Sequence, residues 1–106
     1  MGKIRAIIKR PDEKYGHMTY MSSRTENLQR TVGGLIEAVT LEDIVILCNE
    51  EGKLLGLEDN MPSPIDKNDV IAGTIIICGY NDERDGFGDL TWDFAKWKRF
   101  VDEKCS

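Results

Sequence analysis

Residues 69 to 80 carry Val70 and Ile71, and then Ile75, Ile76, Ile77 and Cys78 in an unbroken run. No other stretch limits the possible folds as much. It reads as the strongest strand of the chain, central in a sheet, with Gly73 marking a bulge or a close backbone approach. Ile44 to Cys48 is almost continuously apolar and reads as a second strand buried on both faces. Both runs fall far short of the roughly 20 apolar residues that a membrane span needs. Apolar residues make up 41% of the 106 positions, more than a disordered chain carries, so the sequence should fold, and its length suits one domain.

The remaining elements are set by local patterns. Lys3 to Lys9 alternates as a strand, Pro11 to Gly16 is a turn, and His17 to Met21 returns as the second arm of a hairpin. Ser23-Arg24-Thr25-Glu26 matches a capping box, and Leu28 and Val32 lie on one face of the short helix after it. Gly33-Gly34 supplies its left-handed end. Leu35 to Leu41 is a strand that turns at Glu42-Asp43 into Ile44 to Cys48. A turn at Asn49 to Lys53 and a return strand at Leu54 to Leu57 complete a three-stranded meander. Asp59 to Asn68, with Pro62 and Pro64, reads as a loop, and so does Asn81 to Asp89. Thr91 is placed to cap a final helix from Trp92 to about Glu103, with Phe94, Trp97, Phe100 and Val101 on its apolar face. The expected architecture is α+β: a mixed or mostly antiparallel sheet with two helices on one face, in the order β-β-α-β-β-β-β-α.

Charge is unevenly distributed. The net charge is −5. Residues 1–30 carry seven basic and three acidic side chains, whereas residues 31–95 carry three basic and fourteen acidic. An acidic middle is a poor surface for a phosphate backbone, so direct nucleic-acid binding is not expected. It suits a basic partner surface, including one that normally holds nucleic acid. The partner contacts expected on this basis are Glu50, Glu51, Asp82, Glu83, Asp85 and Asp89. Trp92 lies off the face of Phe94 and Trp97, so it is expected to be partly exposed and open to the same partner.

Signals for catalysis are weak. His17 is the single histidine and sits beside a turn, where a solvated side chain is the simpler reading. Asn81, Glu83 and Asp85 followed by Gly86 start like a calcium loop, but the twelfth position is Trp92 where a bidentate Glu is needed. Arg84 inside that loop would oppose a cation. Neither Gly33-Gly34 nor Gly86-Phe87-Gly88 belongs to a Walker or dinucleotide fingerprint. Cys48, Cys78 and Cys105 have no CxxC spacing and imply neither a disulfide framework nor zinc. Cys48 and Cys78 are expected in the core and Cys105 at the surface. No catalytic residue, cofactor or metal is expected. The N-terminus lacks a signal-peptide pattern, which makes the cytoplasm the expected compartment.

Three segments carry a resemblance. They are Leu28-Gln29 with Val32-Gly33-Gly34-Leu35-Ile36-Glu37, then Cys48 to Leu57 followed by Asn60, and last Asp69 to Thr74. Together they resemble a family of small proteins of unknown function (the domain of unknown function numbered 3846), found on phages, plasmids and integrative elements, mostly of Gram-positive bacteria. The resemblance covers about residues 3–80 and implies a genetic setting more than an activity. Small acidic proteins of such elements often counter host defence. It implies a non-enzymatic inhibitor that binds a host effector, such as a Cas-type nuclease, through its acidic surface. An alternative is a sponge for a nucleotide-type immune signal, with Arg24, Arg30, Lys53 and Arg84 pairing with phosphates and pockets formed between subunits of an oligomer. A metal-dependent hydrolase using residues 82–89 is the least supported. Exposed apolar surface on the final helix or a sheet face would favour a homodimer.

Overall fold

A computed structural model describes residues 2–81 and 86–105. Among them, eight strands and two helices run in the order β1 (Lys3–Lys9), β2 (His17–Ser22), α1 (Thr25–Val32), β3 (Ile36–Leu41), β4 (Ile44–Asn49), β5 (Asp59–Pro62), β6 (Val70–Ala72), β7 (Ile75–Asn81), β8 (Gly86–Gly88) and α2 (Phe94–Cys105). The main sheet has the order β2-β1-β7-β4-β3, with β8 paired to the end of β7. β5 and β6 form a separate two-stranded sheet. Every pairing among the described residues is antiparallel, so the class is α+β as expected. Among these residues no helix is long and apolar enough to cross a membrane.

The two apolar runs become the neighbouring central strands β7 and β4, with Ile77 opposite Ile46. A strand alternates its side chains across the sheet, so a run without polar residues must be covered on both sides. Ile44, Ile46, Cys48, Ile75 and Ile77 face α2, whose Trp97 and Val101 are fully buried. Val45, Leu47, Ile76 and Cys78 face α1, through Leu28 and Val32. The helices therefore lie on opposite faces, not on one. Two helices on one side would leave the other face of β4 and β7 in water. Trp97 anchors α2: its indole Nε1 donates to the Tyr15 carbonyl at 2.8 Å and its ring stacks on Phe100. A buried Trp of this kind is worth about 3–5 kcal/mol against Ala.

Five local expectations are corrected. Ser23 does not cap α1; the helix starts after Arg24 without a side-chain cap, and Ser22 Oγ accepts the N–H of Arg24 just before it. Leu54 to Leu57 is no strand. Its backbone closes on itself, with Leu55 N–H donating to Glu51 O and Leu57 N–H to Gly52 O, and Gly56 has φ 72°. β4 takes β7 as its second partner instead, and the next strand, β5, comes from residues expected to be a loop and pairs with β6. The long 69–80 segment is two strands, broken where Gly73 takes φ 85° and donates its N–H to Glu58 O. Thr91 does not cap α2, because its hydroxyl donates to Asp43. Asp93 does so, accepting the Lys96 N–H at 2.8 Å.

Candidate acidic cleft

β4 ends at Asn49, whose buried side chain organises the turn after the strand. Its Nδ2 donates to Val32 O and its Oδ1 accepts the Glu51 N–H. Gly34 packs so closely that a Cβ there would sit 3.0 Å from Asn49 Nδ2. The chain turns sharply at residues 50–57, and Gly52 lies against Ala72 of β6. Between this turn, the edge of β3 and the 63–70 connection lies a cleft of about 310 Å³. Val39, Cys48, Ile71 and Ala72 contribute apolar lining. Among the described residues, Glu37, Glu50, Glu51, Asp66 and Asp69 surround it with five carboxylates against one cation, Lys53, which pairs with Asp69. Leu54 and Ile65 also line it, yet they are 86% and 63% exposed.

This geometry accepts a long cationic side chain. The aliphatic stem of a Lys or Arg can lie on apolar lining while its charged head meets carboxylates. The cleft also holds a thiol and a hydroxyl. The pKa of the Cys48 thiol is pushed up to about 11, first by burial and then by the Glu37 charge beside it. Ser63 Oγ accepts the Ile65 N–H and sits on a buried residue. No group of three or more His, Cys, Asp or Glu among the described residues is placed to hold a metal ion.

The expected partner residues divide. Glu50 and Glu51 lie at the cleft. Asp89 is exposed but sits at the opposite end of the sheet, beyond β8, where its Oδ1 accepts the Arg5 N–H at 2.8 Å. The register sets that separation: Leu47 pairs with Ile76 near one end of β7, and Gly79 pairs with Gly88 near the other. Asp82, Glu83 and Asp85, with Arg84, lie outside the described residues. Trp92 is a correction. It is only 4% exposed, with Nε1 donating to Asp43 Oδ1 and Phe100 against its edge, because the turn at Asp43 reaches over to receive it. Charge patterning along the chain missed Glu37, Asp66 and Asp69. Glu37 and Asp69 belong to the segments that carry the resemblance, and those segments meet around this cleft.

Other candidates resolve simply. His17 is exposed, 3.7 Å from Glu13. The Gly33 and Gly34 amides both donate to Gln29 O, so neither is offered to a phosphate. Arg24, just before α1, and Arg30, on it, are exposed, and Lys53 is among carboxylates.

The sequence pattern of a family described as Domain of unknown function (DUF3846) matches residues 4–103. No curated protein and no solved structure matches the chain.

Proposed function

Starting from a chain that belongs to the DUF3846 family, we propose that it is a non-enzymatic binding protein that inserts basic side chains of a partner protein into its acidic cleft. The carrying observation is the cleft itself: five carboxylates and one lysine around an apolar lining, flanked by the exposed Leu54 and Ile65. The proposed setting is a mobile genetic element acting inside a bacterial host cell. The proposed partner is a host defence effector, such as a Cas-type nuclease, whose basic surface otherwise holds nucleic acid. A protein that occupies such a surface inhibits by competition and needs no chemistry of its own.

The test reverses three cleft charges, Glu50→Lys, Glu51→Lys and Asp66→Lys, in one variant. Each exposed ion pair is worth about 0.2–1 kcal/mol, so affinity for a basic effector should fall roughly tenfold or more. The salt dependence of binding should flatten as well. An effector that binds wild type and variant equally would remove the cleft from the interface.

A further inference from the structure

β3 is an edge strand. It pairs with β4 on one side, and no described strand pairs with its other side. Its register against β4 is regular from Ile36 to Leu41, and it contains no Lys, Arg or Pro. These are devices that natural edges use to repel an added strand, and β3 keeps only one charge, Glu37.

The phase of its backbone can be read directly. Glu50 N–H donates to Leu35 O at 2.8 Å, and these residues continue the register that pairs Ile36 with Asn49. Antiparallel pairs alternate between bonded and non-bonded, so Leu35, Glu37, Val39 and Leu41 direct their amides and carbonyls toward β4. Ile36, Ala38 and Thr40 direct theirs outward. The open edge thus offers three N–H and three C=O groups at alternate positions.

Side-chain direction links this edge to the cleft. Glu37 and Val39 of β3 both line it. A strand added about 4.8 Å beyond β3 would continue the pleat and stand every second side chain on the cleft face. We infer that β3 is a docking edge for an extended, basic polypeptide segment of the partner. The segment adds as a strand while its alternate Lys or Arg side chains reach Glu37, Glu50 and Glu51. This rests on the cleft reading above and specifies how the partner is held, with backbone bonds providing affinity and the cleft providing selection.

Charge argues against a second copy as the occupant. Two β3 edges pairing would bring Glu37 and the neighbouring carboxylates of both copies together. The opposite edge, β2, adjoins Lys3 and Arg5 of β1 and is followed by Arg24, so it would repel a basic strand.

The experiment uses amide NMR and hydrogen exchange on the full chain. The probe is an end-blocked octapeptide alternating Lys and Thr. Its control has alternate amides N-methylated, which keeps every charge and removes strand pairing. With about nine-tenths of the protein bound, exchange at Ile36, Ala38 and Thr40 should slow about tenfold, and Glu37, Val39 and Leu41 should change little. Ala38→Pro should abolish the slowing, because the N–H it removes points away from β4. The N-methylated control tests the same bond without altering the protein.

Binding at Glu50, Glu51 and Asp66 without alternate slowing would overturn strand addition and leave the cleft reading intact. Equal binding of the control would do the same. No salt-sensitive binding of either peptide would overturn both. Slow exchange at the three amides without peptide, growing with protein concentration, would assign the edge to a second copy and overturn the inference.

Discussion

Asn60 gives the sharpest test of how the small β5–β6 sheet is held. Lys9, at the end of β1, is only 2% exposed, an unusual burial for a lysine. Its Nζ donates to Asn60 Oδ1 at 2.7 Å, and Asn60 Nδ2 donates to the carbonyls of Lys9 and Gly73, both at 2.9 Å. One amide therefore satisfies a buried ammonium and two backbone acceptors. Asn60→Ala removes all three bonds. The charged bond is worth about 1.5–3 kcal/mol, and two stranded carbonyls add about 1 kcal/mol each, so the expected loss is about 3–5 kcal/mol. That is a large part of the roughly 5–15 kcal/mol typical of a domain. Urea denaturation at neutral pH measures it. Repeating the substitution in Lys9→Met, where the ammonium is gone, should cost about 2 kcal/mol less. A loss below about 1 kcal/mol, or no coupling to Lys9, would refute the account. The pH dependence supplies an independent sign. Burial holds the Lys9 pKa below 10.5, against the weaker opposing pull of Cys105, Glu13 and Asp12. The unfolded chain then binds more protons in the window below 10.5, so this residue's cost to stability is relieved as pH rises through that window. The stability difference between wild type and Lys9→Met should shift accordingly.

Three further outcomes are expected. Asp43 has its carboxyl pKa held below 3.8, chiefly by the hydrogen bonds from Thr91 and Trp92, so it contributes stability above 3.8 that is lost as pH falls through the lowered value; Asp43→Ala should cost about 1–2 kcal/mol and weaken that acid limb, as followed by Trp fluorescence. Gly79→Ala should cost about 2–3 kcal/mol in thermal unfolding, because a Cβ there would lie 2.2 Å from the Asp89 backbone oxygen, which cannot swing aside. The Cys78 thiol is pushed up to about 12 by burial and Cys48 up to about 11, while Cys105 is exposed, so a thiol reagent should label one cysteine in the native protein and three after denaturation; three fast-reacting native thiols would contradict the core.

Much of the fold was legible because it rests on short-range chemistry. β1 was readable from its alternation and β4 from its unbroken apolar run. The left-handed Gly33 ended α1 as its sequence implied. The misread segments turn on hydrogen bonds and cap positions that their own sequence pattern does not show. Leu54 to Leu57 looks like a strand by composition, but Gly52 and Gly56 let its backbone bond within the turn. Ser23 matches a capping motif, but the helix begins one residue later, with Arg24 at the cap position and no side-chain cap. Thr91 is a good cap in isolation, but Asp43, forty-eight residues away, takes its hydroxyl.

The candidate site divides along the same line. Its acidity, and Glu50 and Glu51 within it, could be read from the chain, because charge is a property of composition. Its shape could not. Glu37 joins the cleft because β3 pairs beside β4 with Glu37 opposite Cys48. Asp66 and Asp69 join it because β6 pairs with β5 and carries the 63–70 connection across. Asp89 leaves it because β8 pairs at the far end of β7. Trp92 leaves the surface because Asp43 accepts its indole N–H. Periodicity along the chain determines which side chains an element buries, since that depends on neighbours two to four residues away. Which elements then meet depends on contacts tens of residues apart, and only the packed structure decides it.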